Sequence, residues 1–133
     1  MINGISHITL VVKDIEKTAV LFQRLFDAQE IYSSGNDLHS ISKEKFLLIN
    51  DIWLAIMEGD SLSEKTYNHI AFHITNHDFD AYSKKIIELG LEMRKDRNRI
   101  PGEGQSIYFY DYDNHLFELH TGHLDERLKN YKK

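Results

Sequence analysis

Short apolar, β-branched runs alternate along the chain with two amphipathic stretches, and the order repeats. Ile5–Lys13 predicts a buried strand. Asp14 is placed to cap a helix with Glu16 in its first turn, and Ile15, Ala19, Phe22 and Phe26 recur at helical spacing. Gln29–Ser34 reads as a strand closed by the turn cluster Ser33–Asp37. Leu38–Ser42 and Phe46–Ile49 read as short strands around the charged Lys43–Lys45, and Ile52–Glu58 as another. Residues 59–66 are polar, lack a hydrophobic period and read as a linker.

The pattern then restarts. Tyr67–Thr75 predicts a strand, and Asp78 a cap for a helix carrying Phe79, Tyr82, Ile86 and Leu89, with Gly90 as its stop. A short strand at Leu91–Arg94 leads into a basic, glycine-bearing loop, Arg94–Gly104. Ser106–Asp111 and Leu116–Thr121 form a hairpin around Asp113 and Asn114, and Asp125–Lys133 a short charged helix. His7-Ile8-Thr9-Leu10 returns 62 residues later as His69-Ile70-Ala71-Phe72. Each half reads strand–helix–strand–strand–strand, so the chain is expected to be one domain of two duplicated modules. Their bounds are about 4–58 and 67–121, followed by a terminal helix at about 123–132.

Composition narrows the chemistry. The chain has 133 residues, eight histidines and no cysteine. Disulfides, thiolate nucleophiles and cysteine-ligated metals are excluded, and a reducing cytoplasm is the expected compartment. A net charge of −5 argues against a nucleic-acid footprint. No apolar run nears the roughly 18 residues of a membrane span, and Met1–Asp14 lacks the layout of a signal peptide.

Strand alternation puts His7, Thr9 and Val11 on one face and His69, Ala71 and His73 on its repeat equivalent. Glu118 and His120 share a face of the last strand, and the offset of 62 maps Glu118 back onto Ile56. His7, His69 and Glu118 would make a site with two imidazoles and one carboxylate, leaving coordination positions open to substrate. Ordinary hydrogen-bonded histidines are the alternative, and spacing does not separate the two. His69 and His73 lie about 13 Å apart along a strand, too far to share one ion, so His73 reads as core or as support for a ligand. His120 reads as a possible support for Glu118, while His39, His77, His115 and His123 sit near turns and read as solvated. Arg94, Lys95, Arg97 and Arg99 form either a solvated loop or an anion clamp, with Ser106, Tyr108 and Arg127 as further candidate donors. Trp53 and Tyr67 read as core or pocket wall. Glu44, between two lysines, reads by charge pattern as a surface residue.

The run His7-Ile-Thr, Tyr67-Asn-His69-Ile-Ala-Phe, Ser106-Ile-Tyr-Phe-Tyr-Asp-Tyr-Asp-Asn-His and Phe117-Glu118-Leu-His resembles the vicinal-oxygen-chelate (glyoxalase, bleomycin-resistance and dioxygenase) superfamily. Over about Met1–Tyr131 the chain is similar to the fosfomycin-resistance proteins. The segments around Glu44 and after Glu58 resemble their hydrolytic branch. The resemblance implies an α+β fold of two βαβββ modules forming an open, cupped mixed sheet. Two chains would exchange modules to make a homodimer with shared sites. His7, His69 and Glu118 would hold a divalent metal, Mn2+ by preference. Glu44 would activate water to hydrate the epoxide of fosfomycin to a vicinal diol, with Thr9 beside the oxirane oxygen. Lys95, Ser106, Tyr108 and Arg127 would bind the phosphonate, and Trp53 and Tyr67 would line the pocket. Three other functions stay open at this point: a fosfomycin thiol transferase, a non-catalytic drug-binding protein, and an Fe2+ extradiol dioxygenase.

Overall fold

The structure is a computed structural model describing residues 1–132, and it divides into two units between Ser63 and Glu64. The first holds β1 (Ile8–Val12), α1 (Ile15–Phe26), β2 (Gln29–Ser33), β3 (Glu44–Ile49) and β4 (Ile52–Glu58). The second holds β5 (His69–His73), a 3-10 turn at Asn76–Asp78, α2 (Phe79–Glu88), β6 (Met93–Arg94), β7 (Ser106–Tyr110), β8 (Leu116–His120) and α3 (Leu124–Tyr131). Lys133, the last residue of the expected terminal helix, lies outside the described residues.

Each unit forms one four-stranded mixed sheet, ordered β1-β4-β3-β2 and β5-β8-β7-β6. In both, the first strand pairs parallel with the last and the other pairs are antiparallel. The architecture is α+β, as expected. Among the described residues, no helix is long and apolar enough to cross a membrane.

Helix α1 starts where the sequence places it, because the Asp14 carboxylate accepts the Lys17 N–H at 3.0 Å. Its Leu21, Phe22 and Leu25 are fully buried, as are Leu47, Leu54 and Ile56 of the sheet, and α1 packs on β3 and β4. Each such side chain stabilises the fold by roughly 1.5–3 kcal/mol. In the second unit Phe72, Phe109 and Phe117 stack, with centroids 6.1 and 5.6 Å apart, beside the buried Ile107 and Leu119. The apolar half of each alternation is therefore the core face, and the other half is free for chemistry.

Two expectations about elements fail. Leu38–Ser42 is not a strand: β2 pairs directly with β3, which leaves that segment without a ladder partner and Leu38 and Ile41 exposed. Asp78 does not cap α2 with its side chain; it accepts from Thr75 Oγ1 at 3.2 Å instead, and a 3-10 turn leads into the helix. Gly90 ends that helix as expected, at φ +69°.

The repeat is also not uniform. Thr9 pairs with Ala55, whereas Ala71 pairs with Glu118, so β4 maps onto β8 at an offset of 63 (118 less 55) rather than 62. The equivalent of Glu118 is therefore Ala55, not Ile56. The cause is turn length. Ile49 pairs with Ile52 across the two-residue turn Asn50-Asp51, and Asn50 adopts φ +53°. In the second unit the Asp111 N–H reaches the His115 carbonyl across three residues, Tyr112-Asp113-Asn114, with Asn114 at φ +70°. Side-chain direction has a period of two, so one extra residue decides which face a strand residue takes.

Candidate active site

In the first unit the face away from α1 lines a cavity of about 520 Å3. His7, Thr9, Glu44 and Trp53 are on its wall, and Ala55 takes the place equivalent to Glu118. The His7 ring lies against Trp53 at 4.3 Å, and its Nδ1 is 3.0 Å from Ser6 Oγ, which leaves Nε2 for a further ligand. Trp53 Nε1 is buried without a hydrogen-bond partner.

Glu44 is only 7% exposed, which corrects the surface reading of the Lys-Glu-Lys segment. Because β3 begins at Glu44, alternation turns Glu44 into the cavity and Lys45 toward α1. Ser34 fixes the Glu44 peptide twice: its N–H donates to the Glu44 carbonyl, and its Oγ accepts the Glu44 N–H, both at 3.0 Å. Lys45 reaches Glu30 at 2.9 Å and Glu16 at 3.2 Å. Burial works against its charge, but the two carboxylates outweigh burial and raise its pKa.

The second unit presents a different set on the equivalent face. Register puts Glu118 opposite Ala71 and next to Tyr108. His69 Nε2 is 3.0 Å from Glu118 Oε1, and His69 Nδ1 is 2.6 Å from the Tyr67 carbonyl. A carbonyl only accepts, so Nδ1 carries the proton and the Nε2 lone pair faces a carboxylate oxygen. A nitrogen and oxygen donor pair, with the imidazole oriented by a backbone carbonyl, suits a divalent ion.

Glu118 Oε2 accepts from Ser106 Oγ at 2.5 Å and from Arg99 Nη2 at 3.2 Å. Burial pushes the Glu118 carboxyl up, but the Ser106 bond, with His120, Tyr108 and Arg99 beside it, prevails and holds it below its ordinary value. Ser106 Oγ also lies 2.7 Å from His120 Nδ1, and His120 Nε2 is 3.1 Å from Arg127 Nη2. Burial, reinforced by the neighbouring Arg127 and Arg99, lowers the His120 pKa. The Tyr108 hydroxyl lies 3.0 Å from that of Tyr67 and accepts from Arg99 at 3.1 Å. Burial and the Tyr67 bond push the Tyr108 phenol up, so it stays protonated.

The basic loop sorts itself by partners. Arg97 is committed to Glu103 at 2.5 Å and to Tyr131, and Arg94 donates to Tyr110 and lies over the Tyr67 ring. Lys95 is exposed. Arg99 is held by Asp96 at 3.0 Å and by Glu118, and its buried Nη1 has no hydrogen bond but lies 3.8 Å from Glu103 Oε1, within ion-pair range.

Among the described residues no three His, Asp or Glu side chains converge on one point. His69 and Glu118 meet in the second unit, while His7, Thr9, Glu44 and Trp53 share the cavity of the first. His73 is exposed rather than core, with Nε2 donating to the Thr121 carbonyl and its ring stacked on His123 at 4.3 Å. Of the histidines read as solvated, His39 is exposed at the cavity, while His115 is half-buried and held by Asp111 at 2.8 Å. Sequence reasoning passed over Ser34 and Lys45. The alternation beginning at Glu44 carried the signal for Lys45; Ser34 had none.

Three comparisons bear on this arrangement. The chain is 60% identical over its whole length, and over the whole of the relative, to the fosfomycin resistance protein FosX of Listeria innocua. It is 35% identical to the metallothiol transferase FosB of Bacillus licheniformis, over 97% of this chain and 82% of that one. A crystal structure of a glutamate-to-glutamine variant of FosX from Listeria monocytogenes, in complex with Mn(II) and 1S,2S-dihydroxypropylphosphonic acid, matches with a TM-score of 0.91. It is 60% identical, over 98% of this chain and 99% of that one. The family model described as Glyoxalase/Bleomycin resistance protein/Dioxygenase superfamily matches residues 4–119. That span takes in all but the last residue of the two four-stranded sheets and every candidate metal ligand, and the chain belongs to this superfamily.

Proposed function

We propose that this chain is a Mn(II)-dependent epoxide hydrolase that adds water to fosfomycin, giving a vicinal diol phosphonate and with it resistance to the drug. The observation that carries the reading is the buried Glu44 carboxylate in the His7 cavity, its peptide fixed by Ser34. Water addition needs an internal base; addition of a thiol does not. The product analogue bound to the 60% identical Listeria monocytogenes protein supports the same chemistry.

His7, His69 and Glu118 are the ligands. The bound ion supplies Lewis-acid polarisation of the epoxide and phosphonate oxygens. Glu44 takes a proton from water at a carboxylate oxygen, the water oxygen attacks a ring carbon as the carbon–oxygen bond of the epoxide breaks, and the departing oxygen takes up a proton from solvent while Glu44 returns its own. Thr9 stands on the same cavity wall, beside the oxirane oxygen. Trp53 and Tyr67 shape the pocket, and the buried Trp53 Nε1–H is a donor awaiting an acceptor. Tyr108, Lys95 and Arg127 hold the phosphonate. Ser106, which also bonds Glu118 and His120, holds the phosphonate with them.

The ligands and the base are completed between two copies of the chain, paired by exchange of modules within one domain per chain. His7 comes from one copy, and His69 with Glu118 from the other. Each sheet has an edge strand beside a candidate ligand, β1 directly after His7 and β5 beginning at His69, hydrogen-bonded on one side only, which supports such pairing. The absence of cysteine agrees with residence in the cytoplasm.

Phosphorus NMR of fosfomycin incubated with the protein and Mn(II), with and without glutathione, tests the reading. The diol phosphonate should form in both samples. A thiol adduct as the main product, in line with the 35% identical thiol transferase, would replace hydration. Stoichiometric drug binding without turnover would remove catalysis altogether.

A further inference from the structure

Ser34 and Glu44 stand where the next antiparallel pair of the β2–β3 ladder would fall, one step beyond Ser33 and Lys45. Such a pair normally exchanges two backbone bonds, each residue donating to the other's carbonyl. Here only one of the two is backbone to backbone: the Ser34 N–H donates to the Glu44 carbonyl. The Ser34 carbonyl is taken by the Asp37 N–H at 3.0 Å, which closes a turn through Gly35 at φ +56°. The Glu44 N–H donates instead to Ser34 Oγ at 3.0 Å, and that hydroxyl donates onward to the Gly35 carbonyl at 3.5 Å. The hydroxyl therefore stands in for a carbonyl that the turn has claimed.

Glu44 is the first residue of β3, and residues 35–43 before it lie outside the ladder with β2. It offers both its N–H and its carbonyl to Ser34, while β4 holds the preceding peptide, through Glu58 N–H and the Lys43 carbonyl at 2.9 Å. Ser34 and Glu44 are both 7% exposed, so without the hydroxyl the Glu44 N–H would be left with no acceptor and little water. The strand would then open from the end that carries the carboxylate.

We propose that Ser34 is a positioning residue for the reaction. Its hydroxyl clamps the Glu44 backbone and so sets where the carboxylate stands in the cavity, while the chain turns out of the sheet at 34–37. The inference rests on the reading of Glu44 as the base. Metal binding lies outside its reach, because the candidate ligands stand on or beside β1, β5 and β8.

The test compares two variants with the parent protein. Ser34→Ala removes the acceptor, and kcat for diol formation should fall by ~10–100-fold, since a displacement of about 1 Å can cost as much. KM and Mn(II) affinity should hold. Ser34→Thr keeps a hydroxyl and should recover most of the loss. An unchanged kcat in Ser34→Ala, a parallel loss of Mn(II) affinity, or a loss in Ser34→Thr as large as in Ser34→Ala overturns the proposal. Amide hydrogen exchange followed by NMR reads the clamp without turnover. The Glu44 N–H should be protected in the parent protein and exchange faster in Ser34→Ala, with the rest of β3 unchanged; a Glu44 N–H unprotected in the parent protein overturns the proposal. A parent protein that makes no diol would instead defeat the reading of the reaction, and the exchange of the Glu44 N–H would still decide the clamp.

Discussion

Glu44 and Lys45 are neighbours in β3, both buried, and they serve opposite faces of one sheet: the carboxylate looks into the cavity and the ammonium toward α1. A single peptide step separates the group assigned to proton transfer from an ion pair that ties strand to helix. The two residues should therefore respond differently to substitution.

Glu44→Gln keeps the shape of the side chain and removes the base. Diol formation should fall by ~10²–10⁴-fold, the usual contribution of general base catalysis, while Mn(II) affinity and melting temperature hold. Phosphorus NMR with a parallel metal titration checks this, and normal turnover would take Glu44 out of the mechanism.

Lys45→Met should act on stability. It leaves Glu30 and Glu16 without their cation, but these carboxylates are 33% and 75% exposed and can rehydrate. The loss should be ~1–3 kcal/mol by urea unfolding, below that of a pair sealed from water. An unchanged unfolding midpoint would show that the ion pair contributes nothing net.

A mixing experiment reads the proposed sharing of ligands. His7→Ala and Glu118→Ala proteins should each be inactive and lose Mn(II). Unfolded and refolded together, they should regain about one quarter of the activity, because half of random dimers are mixed and one of their two sites is intact. A site built within one chain predicts no recovery at all.

Glu103 sets the acid limit of the second unit. It is buried, and the Arg97 guanidinium, aided by the Tyr131 hydroxyl, holds its carboxyl down at about 2. A depressed folded-state pKa gives stability that is fully present above the ordinary value near 4.5 and is lost as pH falls toward 2. The stability gap between the parent protein and Glu103→Gln should be constant above pH 5 and close between about pH 4.5 and 2. Unfolding curves across that range measure it; a gap independent of pH would mean that packing, not charge, holds Glu103.

Much of this was legible in the chain. The alternation around His7 and His69 placed both imidazoles on the non-core faces, and the repeat revealed the duplication. Ile56 was the wrong symmetry mate for Glu118 because a constant offset ignores turn length, although the two-residue and three-residue turns are both written in the sequence. Leu38–Ser42 has the composition of a strand but no partner, and partners are decided elsewhere in the sheet. Glu44 was hidden by its charged neighbours, since local charge says nothing about which side of a strand is buried.

The extra residue in the turn between β7 and β8 has an evolutionary consequence. Surface turns usually tolerate loss or gain of a residue. This one works as an index: take a residue from Tyr112–Asn114 and the returning strand either strains or slips by one, sending the Glu118 side chain to the face occupied by Phe117. A deletion far from the chemistry would thus be equivalent to removing a ligand. If an ancestral half-module was once copied, the change that gave the second copy a place for its carboxylate was a matter of counting before it was a matter of charge.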